Sequence, residues 1–364
     1  MRRHFHFLMS KLTEALLCLL IFPAFSAMAA SYSWNGTGTQ WGTASSWTPA
    51  GVPGAADYVT ISRGGSGFRP PNLEIDLGTG ARVFSINFLG STIGGGFYTL
   101  GTGGPGAQTI TLSQNATIFG DAQTFPNLEV PTFNANIALE GKASWFVAND
   151  FKIAGGILGA AGADEKFLLL ALNRASMHFF GVISDGEGSS LKVQVGGEKT
   201  ASSAIFYAPN TYTGSTIIGS NLVLATSNVI PDASDIVLSG KIATGGFDDR
   251  AGTLQLTSSS AILDFGNGQS DLAFADSHGT AWSGTLTLVN FNIGIDTLRF
   301  GSDEFALTGE QLGMIGLSGY VAAIDQDGYV SFSPVPEPRT TFLVLCGLLV
   351  CATGRRFLSG FKES

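Results

Sequence analysis

Short stretches of alternating apolar and polar residues recur along most of the chain. They read YVTIS at 58–62, FSINFL at 84–89, QTITLS at 108–113, ATIFG at 116–120, ANIALEG at 135–141 and SWFVAND at 144–150. A second series begins with STIIGSNLVLA at 215–225 and continues with DIVLSG, TLQLTS, AILDFG, DLAFAD, TLTLVN and DTLRFG, up to residue 301. A period of two marks a strand with one buried face. Gly, Asn, Asp and Ser punctuate the runs, and these are turn residues. The later runs start at Asn221, Asp235, Thr253, Ala261, Asp271, Thr285 and Asp296. Their uneven spacing suits the rungs of a solenoid, where each strand stacks on its neighbour. The chain is therefore expected to be all-β: a β-solenoid, specifically a right-handed parallel β-helix, with packed β-sandwich domains as the alternative.

Helical patterning is scarce. ADEKFLLLALNRASM at 163–177 fits either one helix or a buried strand pair. TGEQLGMI at 308–315 predicts a single helical turn, with Thr308 as N-cap and Gln311 completing a capping box.

Two apolar stretches break the pattern, one at each end. Residues 1–29 have a basic start, an apolar run from Ala15 to Phe25 and small residues at Ala27 and Ala29. This is signal-peptide anatomy, with cleavage expected after Ala29 and an uncleaved anchor as the alternative. Arg2 and Arg3 lack a twin-arginine continuation, so export through the general translocon is expected. At the other end, residues 340–354 carry no charge. Fifteen residues of helix reach roughly 22 Å at ~1.5 Å per residue, short for a span that ordinarily takes about 20. Arg355 and Arg356 follow as a stop-transfer pair. Pro334, Pro336 and Pro338 precede it and disfavour helix.

The expected organisation is thus a signal peptide (1–29), an N-terminal solenoid part (30–205), a C-terminal solenoid part (206–332), a proline-rich spacer (333–339), a transmembrane helix (340–354) and a basic cytoplasmic tail (355–364).

Composition supports a folded, exported body. The chain is 44% hydrophobic and only 13% charged, with 49 glycines in 364 residues. Residues 31–334 hold 12 of the 19 basic and 25 of the 28 acidic residues, a surplus of thirteen negative charges. Nucleic acid is therefore not an expected partner. All three cysteines, Cys18, Cys346 and Cys351, lie in the terminal apolar runs. The body has no disulfide framework, thiolate metal site or cysteine nucleophile.

Three segments carry resemblances. Val335, Pro336, Glu337 and Pro338, the short apolar run and Arg355-Arg356 together resemble the PEP-CTERM sorting signal of exopolysaccharide-producing Gram-negative bacteria. Arg339 departs from it, since that family usually has Ser or Thr there. The resemblance implies an exosortase as processing partner and loss of the tail. It also implies anchorage in the inner membrane beforehand and a cell-surface or extracellular destination afterwards. APNTYTGSTIIGSNLVLA at 208–225 resembles the autotransporter-associated β-strand repeat through Asn210, Thr211, Tyr212, Thr213 and Gly214, with the turn glycine displaced to Gly219. In that reading Asn210 and Gly214 form turns, and Tyr212 and Thr216 pack or ladder along the stack. Finally, Trp34-Asn35-Gly36, Trp41 to Trp47 and Val52-Pro53-Gly54 to Asp57 look like the opening segment of bacterial surface β-helix proteins. Three of the five tryptophans fall within it, as a cap over the first rung or a carbohydrate-stacking platform.

No catalytic motif stands out. His178 and His278 are a hundred residues apart, and no nucleophile elbow, phosphate loop or zinc-binding pair is present. Asp248-Asp249-Arg250 and Asp325-Gln326-Asp327-Gly328 are the paired-carboxylate candidates, and both also read as turns. The expectation is a non-enzyme without metal or cofactor: an exported structural or adhesive protein in contact with exopolysaccharide. A polysaccharide-binding or polysaccharide-cleaving protein on the same scaffold is the alternative.

Overall fold

The computed structural model describes residues 29–36, 38–62, 73–89, 98–120, 130–148, 150–197 and 202–335. Between the two ends of the body, most successive strands do not pair with each other but alternate between two long sheets. Glu165–Leu172 lies in the first sheet, Ser176–Phe179 in the second, and Ser190–Gly197 returns to the first beside Glu165–Leu172. Neighbours within a sheet are thus one coil apart in sequence, and they pair in parallel. Repeated about ten times, this is a β-solenoid rather than a sandwich. Segment 163–177, open between helix and strands, supplies two strands, one to each sheet.

Period-two alternation becomes a core because stacking is in register. Val59, Ile86, Ile118, Trp145, Leu170, Val195, Ile218, Leu238 and Leu256 form one inward column of the first sheet. Leu100, Phe133, Ile153, Phe179, Phe206 and Leu224 form a column of the second. All are essentially inaccessible to solvent. Each buried side chain of this size contributes about 1.5–3 kcal/mol relative to exposure.

The strand Thr109–Gly120 opens a third side. Asn115 takes a left-handed conformation (φ 61°), and the strand divides around it. Its first part pairs with Asn136–Leu139 and its second with Lys142–Val147. Ile157–Gly159 and Ile183–Ser184 extend the new side. Farther along, Asp249–Ala251, Asp271–Phe274 and Thr297–Phe300 form a separate three-stranded sheet.

Both ends are covered. Trp34, Trp41 and Trp47 pack edge to face, 4.8–4.9 Å apart, and are buried. Trp47 Nε1 donates to the Trp41 carbonyl at 2.8 Å. Trp47–Thr48 pairs antiparallel with Ser31–Trp34 and closes the sheet edge. With their faces covered, these tryptophans are a cap and offer no stacking platform. At the far end lie one short helix, α1 (Gly309–Gly313), and an antiparallel hairpin of Tyr320–Ile324 and Val330–Pro334. The Thr308 hydroxyl accepts from the Gln311 N–H and the Gln311 side chain from the Thr308 N–H, the predicted capping box. Phe332 of the hairpin packs on Phe291 of the last coil, 5.1 Å away.

Candidate functional site

Asn210 and Tyr212 are buried where the third side has no strand of its own. The Asn210 Oδ1 accepts the Ile183 N–H at 2.8 Å, and its Nδ2 donates to the Val229 carbonyl at 2.7 Å. One amide thus ties three successive coils. Tyr212 faces inward. Its hydroxyl pairs with the Thr216 hydroxyl at 2.7 Å, which meets the Ser234 hydroxyl at 2.8 Å, and Ser234 donates to the Gly214 carbonyl. Burial pushes the Tyr212 phenol well above its ordinary range. The Thr211 N–H bonds the Ile183 carbonyl, and the Thr213 N–H bonds the Asp185 carboxylate. Gly214 packs directly on Leu191, where a Cβ would fall 2.5 Å from its carbonyl oxygen. This segment joins coils and presents no reactive group outward.

The carboxylate candidates separate because neighbours on a strand point opposite ways. Asp249 is buried, and its Oδ2 accepts the N–H groups of Val229 and Ile230 at 2.9 and 3.2 Å. Desolvation pushes its pKa up to about 7 despite those bonds. Asp248 is exposed and accepts the Asp271 N–H, while Arg250 is exposed on the outer face. No acid–base pair forms between them. The Asp325 Oδ1 accepts the N–H groups of Asp327 and Tyr329, as a turn residue does. His278 bonds its neighbour Asp276 and is remote from His178 in sequence and fold. Among the described residues no group of three or more His, Cys, Asp or Glu is placed to hold a metal ion. A hollow lined by Asn221, Ser239, Ser258, Ser259, Ser260 and Lys241 carries hydroxyls, and Lys241 is paired with Asp264 at 3.2 Å.

The feature absent from the sequence reading lies on the outer surface. Phe180 and Tyr207, one coil apart, stack at 4.3 Å and 13° while 43% and 37% exposed. The His178 ring is near-parallel to both, and its Nδ1 lies 3.1 Å from the Tyr207 hydroxyl. The Lys152 ammonium sits over the Phe180 ring at 5.0 Å. Phe119 and Phe146 form a second exposed stack at 5.4 Å on the first sheet. No motif announces these pairs, because their members are about 27 residues apart and meet only through coil register.

The sorting and processing residues fall mostly elsewhere. Ala29 and Val335 bound the described body, whereas Ala27, Pro336, Glu337, Pro338, Arg355, Arg356 and the expected span 340–354 lie outside the described residues. Among the described residues no helix is long and apolar enough to cross a membrane. Comparison of the chain with family models, curated proteins and solved structures gives no match.

Proposed function

We propose that this chain is an exported structural and adhesive rod. Its body is a right-handed solenoid, as parallel crossovers within one sheet almost always are, and works at the cell surface or in the extracellular matrix against polysaccharide. The export translocon carries it across the inner membrane. The apolar segment 340–354 holds it there until an exosortase reads Val335, Pro336, Glu337 and Pro338 and removes the tail. The protein is not an enzyme in this reading.

The observation that carries the proposal is where the last described strand ends. The last strand, Val330–Pro334, is tied into the terminal hairpin, and the Val335 N–H makes a final bond to the Gly319 carbonyl at 2.9 Å. Val335 is half exposed, and the Pro-Glu-Pro sequence begins at the next residue. The expected sorting motif therefore follows directly in sequence on that strand. Separation of Asp248 from Asp249 and the turn role of Asp325 support a structural body over a hydrolytic one.

Mass spectrometry of the mature protein tests this. A C-terminus near Pro336–Pro338 and an N-terminus at Ala30 are expected. An intact Ser364 would replace sorting with a permanent anchor.

A further inference from the structure

The Phe180–Tyr207 stack is covered by Lys152 at one end and followed in register by small residues at the other. Rings on consecutive coils stack along the solenoid axis. Lys152, one coil before Phe180, covers the outer face of the Phe180 ring. On the next coil, Phe206 aligns with Leu224, so Tyr207 is level with Ala225. One coil farther, Val223 aligns with Ala243, so Ala225 is level with Gly245. Gly245 has φ +63°, a conformation that excludes most larger residues. The aromatic column thus steps down from Tyr207 to a notch floored by Ala225 and Gly245, with the exposed Phe247 ring beside it, 3.8 Å from where a Gly245 Cβ would sit. The same step occurs on the first sheet, where Phe146 is followed by Ala171 and Gly196.

We infer that the Tyr207 notch binds one pyranose ring of an uncharged polysaccharide. The inference rests on the reading that the rod works against polysaccharide, and names the subsite and the polymer class. Coils are about 4.8 Å apart, and a sugar ring is about as thick as one coil is high. Its apolar C–H face lies flat on the Tyr207 ring, as aromatic side chains serve in ligand sites. The Tyr207 hydroxyl and the His178 imidazole, already 3.1 Å apart, meet sugar hydroxyls at the rim. Ring planes lie across the axis, so the polymer crosses the rod rather than running along it. The thirteen-charge acidic surplus of the body repels anionic polymers and selects an uncharged one.

The test measures binding of the purified full chain to cellulose, dextran and xyloglucan, with polygalacturonate as the acidic polymer. At least one uncharged polymer is expected to bind more tightly than polygalacturonate. Tyr207→Ala is expected to weaken that binding roughly five- to tenfold, the worth of one good aromatic contact. Tyr207→Phe should stay within about twofold, because the stacking face remains. Ala225→Phe extends the column into the notch while leaving Phe180 and Tyr207 in place, and should weaken binding as much as Tyr207→Ala. No binding to any uncharged polymer, a preference for polygalacturonate, or unchanged binding by both Tyr207→Ala and Ala225→Phe would overturn the notch. Such a failure with a C-terminus trimmed near Pro336–Pro338 sinks the notch alone. An intact Ser364 with binding preserved sinks only the sorting reading.

Discussion

Between residues 109 and 197, first-sheet strands are six to twelve residues long, and adjacent ones register over five to eight positions. Between residues 216 and 256 they shrink to three residues, paired over three positions. The later coils replace lost backbone pairing with side chains at their corners. Asn210 and Asp249 bridge the third side. The Asp235 carboxylate takes the N–H and hydroxyl of Thr253. The Thr244 hydroxyl meets the Ser270 hydroxyl at 2.8 Å, and the Asp296 carboxylate takes the N–H groups of Ser270 and Asn292. Long strands satisfy most of their backbone groups through the ladder, with side chains such as Asp185 and Ser202 serving only at strand ends. Tight coils spend a larger share of their residues on corners, where buried N–H and C=O groups need side-chain partners.

The largest test of this contrast is pH. An ordinary Asp carboxyl titrates near 3.8, whereas the Asp249 carboxyl is held at about 7 in the folded protein. The unfolded chain therefore loses this proton first as pH rises, and the folded state loses stability between about pH 4 and 7, levelling off above. The loss amounts to at most ~4 kcal/mol. Urea midpoints should fall across that window in the wild type, and Asp249→Asn should remove this part of the slope. A slope unchanged in Asp249→Asn would mean the corner carries no such charge cost.

Asn210→Leu comes next. It leaves the Ile183 N–H without its partner, at about 1–3 kcal/mol for a buried group, and leaves the Val229 carbonyl only the longer bond from the Asn210 backbone N–H at 3.4 Å. A fall in chemical-denaturation stability of about 3 kcal/mol is expected, and a neutral result would show that corner ties are dispensable. Tyr212→Phe removes only the hydroxyl that meets Thr216. It should cost about 1 kcal/mol in the same measurement. At the bottom of the scale stands Lys192→Ala in the long-stranded region, which breaks an exposed pair with Glu165 at 3.1 Å. Its effect should stay below ~0.5 kcal/mol. A larger one would mean that side-chain ties matter in the long-stranded coils as well.

Strand positions were readable because period-two alternation survives whatever the strand pairs with. The runs read from Asn221, Asp271 and Thr285 begin where the strands Asn221–Leu224, Asp271–Phe274 and Thr285–Val289 begin. The capping box at Thr308 was equally local, since all its bonds fall within four residues. Segment 163–177 was ambiguous for the converse reason: FLLLAL is apolar on both faces and fits either period. Tyr212 and Thr216 read as residues that pack or ladder along the stack; both are buried, and their hydroxyls bond each other within one coil. Asp249 carried no signal of burial, because an Asp beside Asp248 and Arg250 has the composition of a surface turn.

The sequence by itself determined that the body is built of short strands with one apolar face, because alternation is a property of consecutive residues. It also determined that chemistry-bearing residues are sparse and that the ends differ in kind from the middle. Only the tertiary structure decided which strands are neighbours. Coil register is a long-range choice made by stacking whole rungs, and no local pattern encodes it. Register places Phe180 against Tyr207, steps that column down to Ala225 and Gly245, and sends Asp249 inward while Asp248 faces solvent. The surface this rod offers a partner is set at that level.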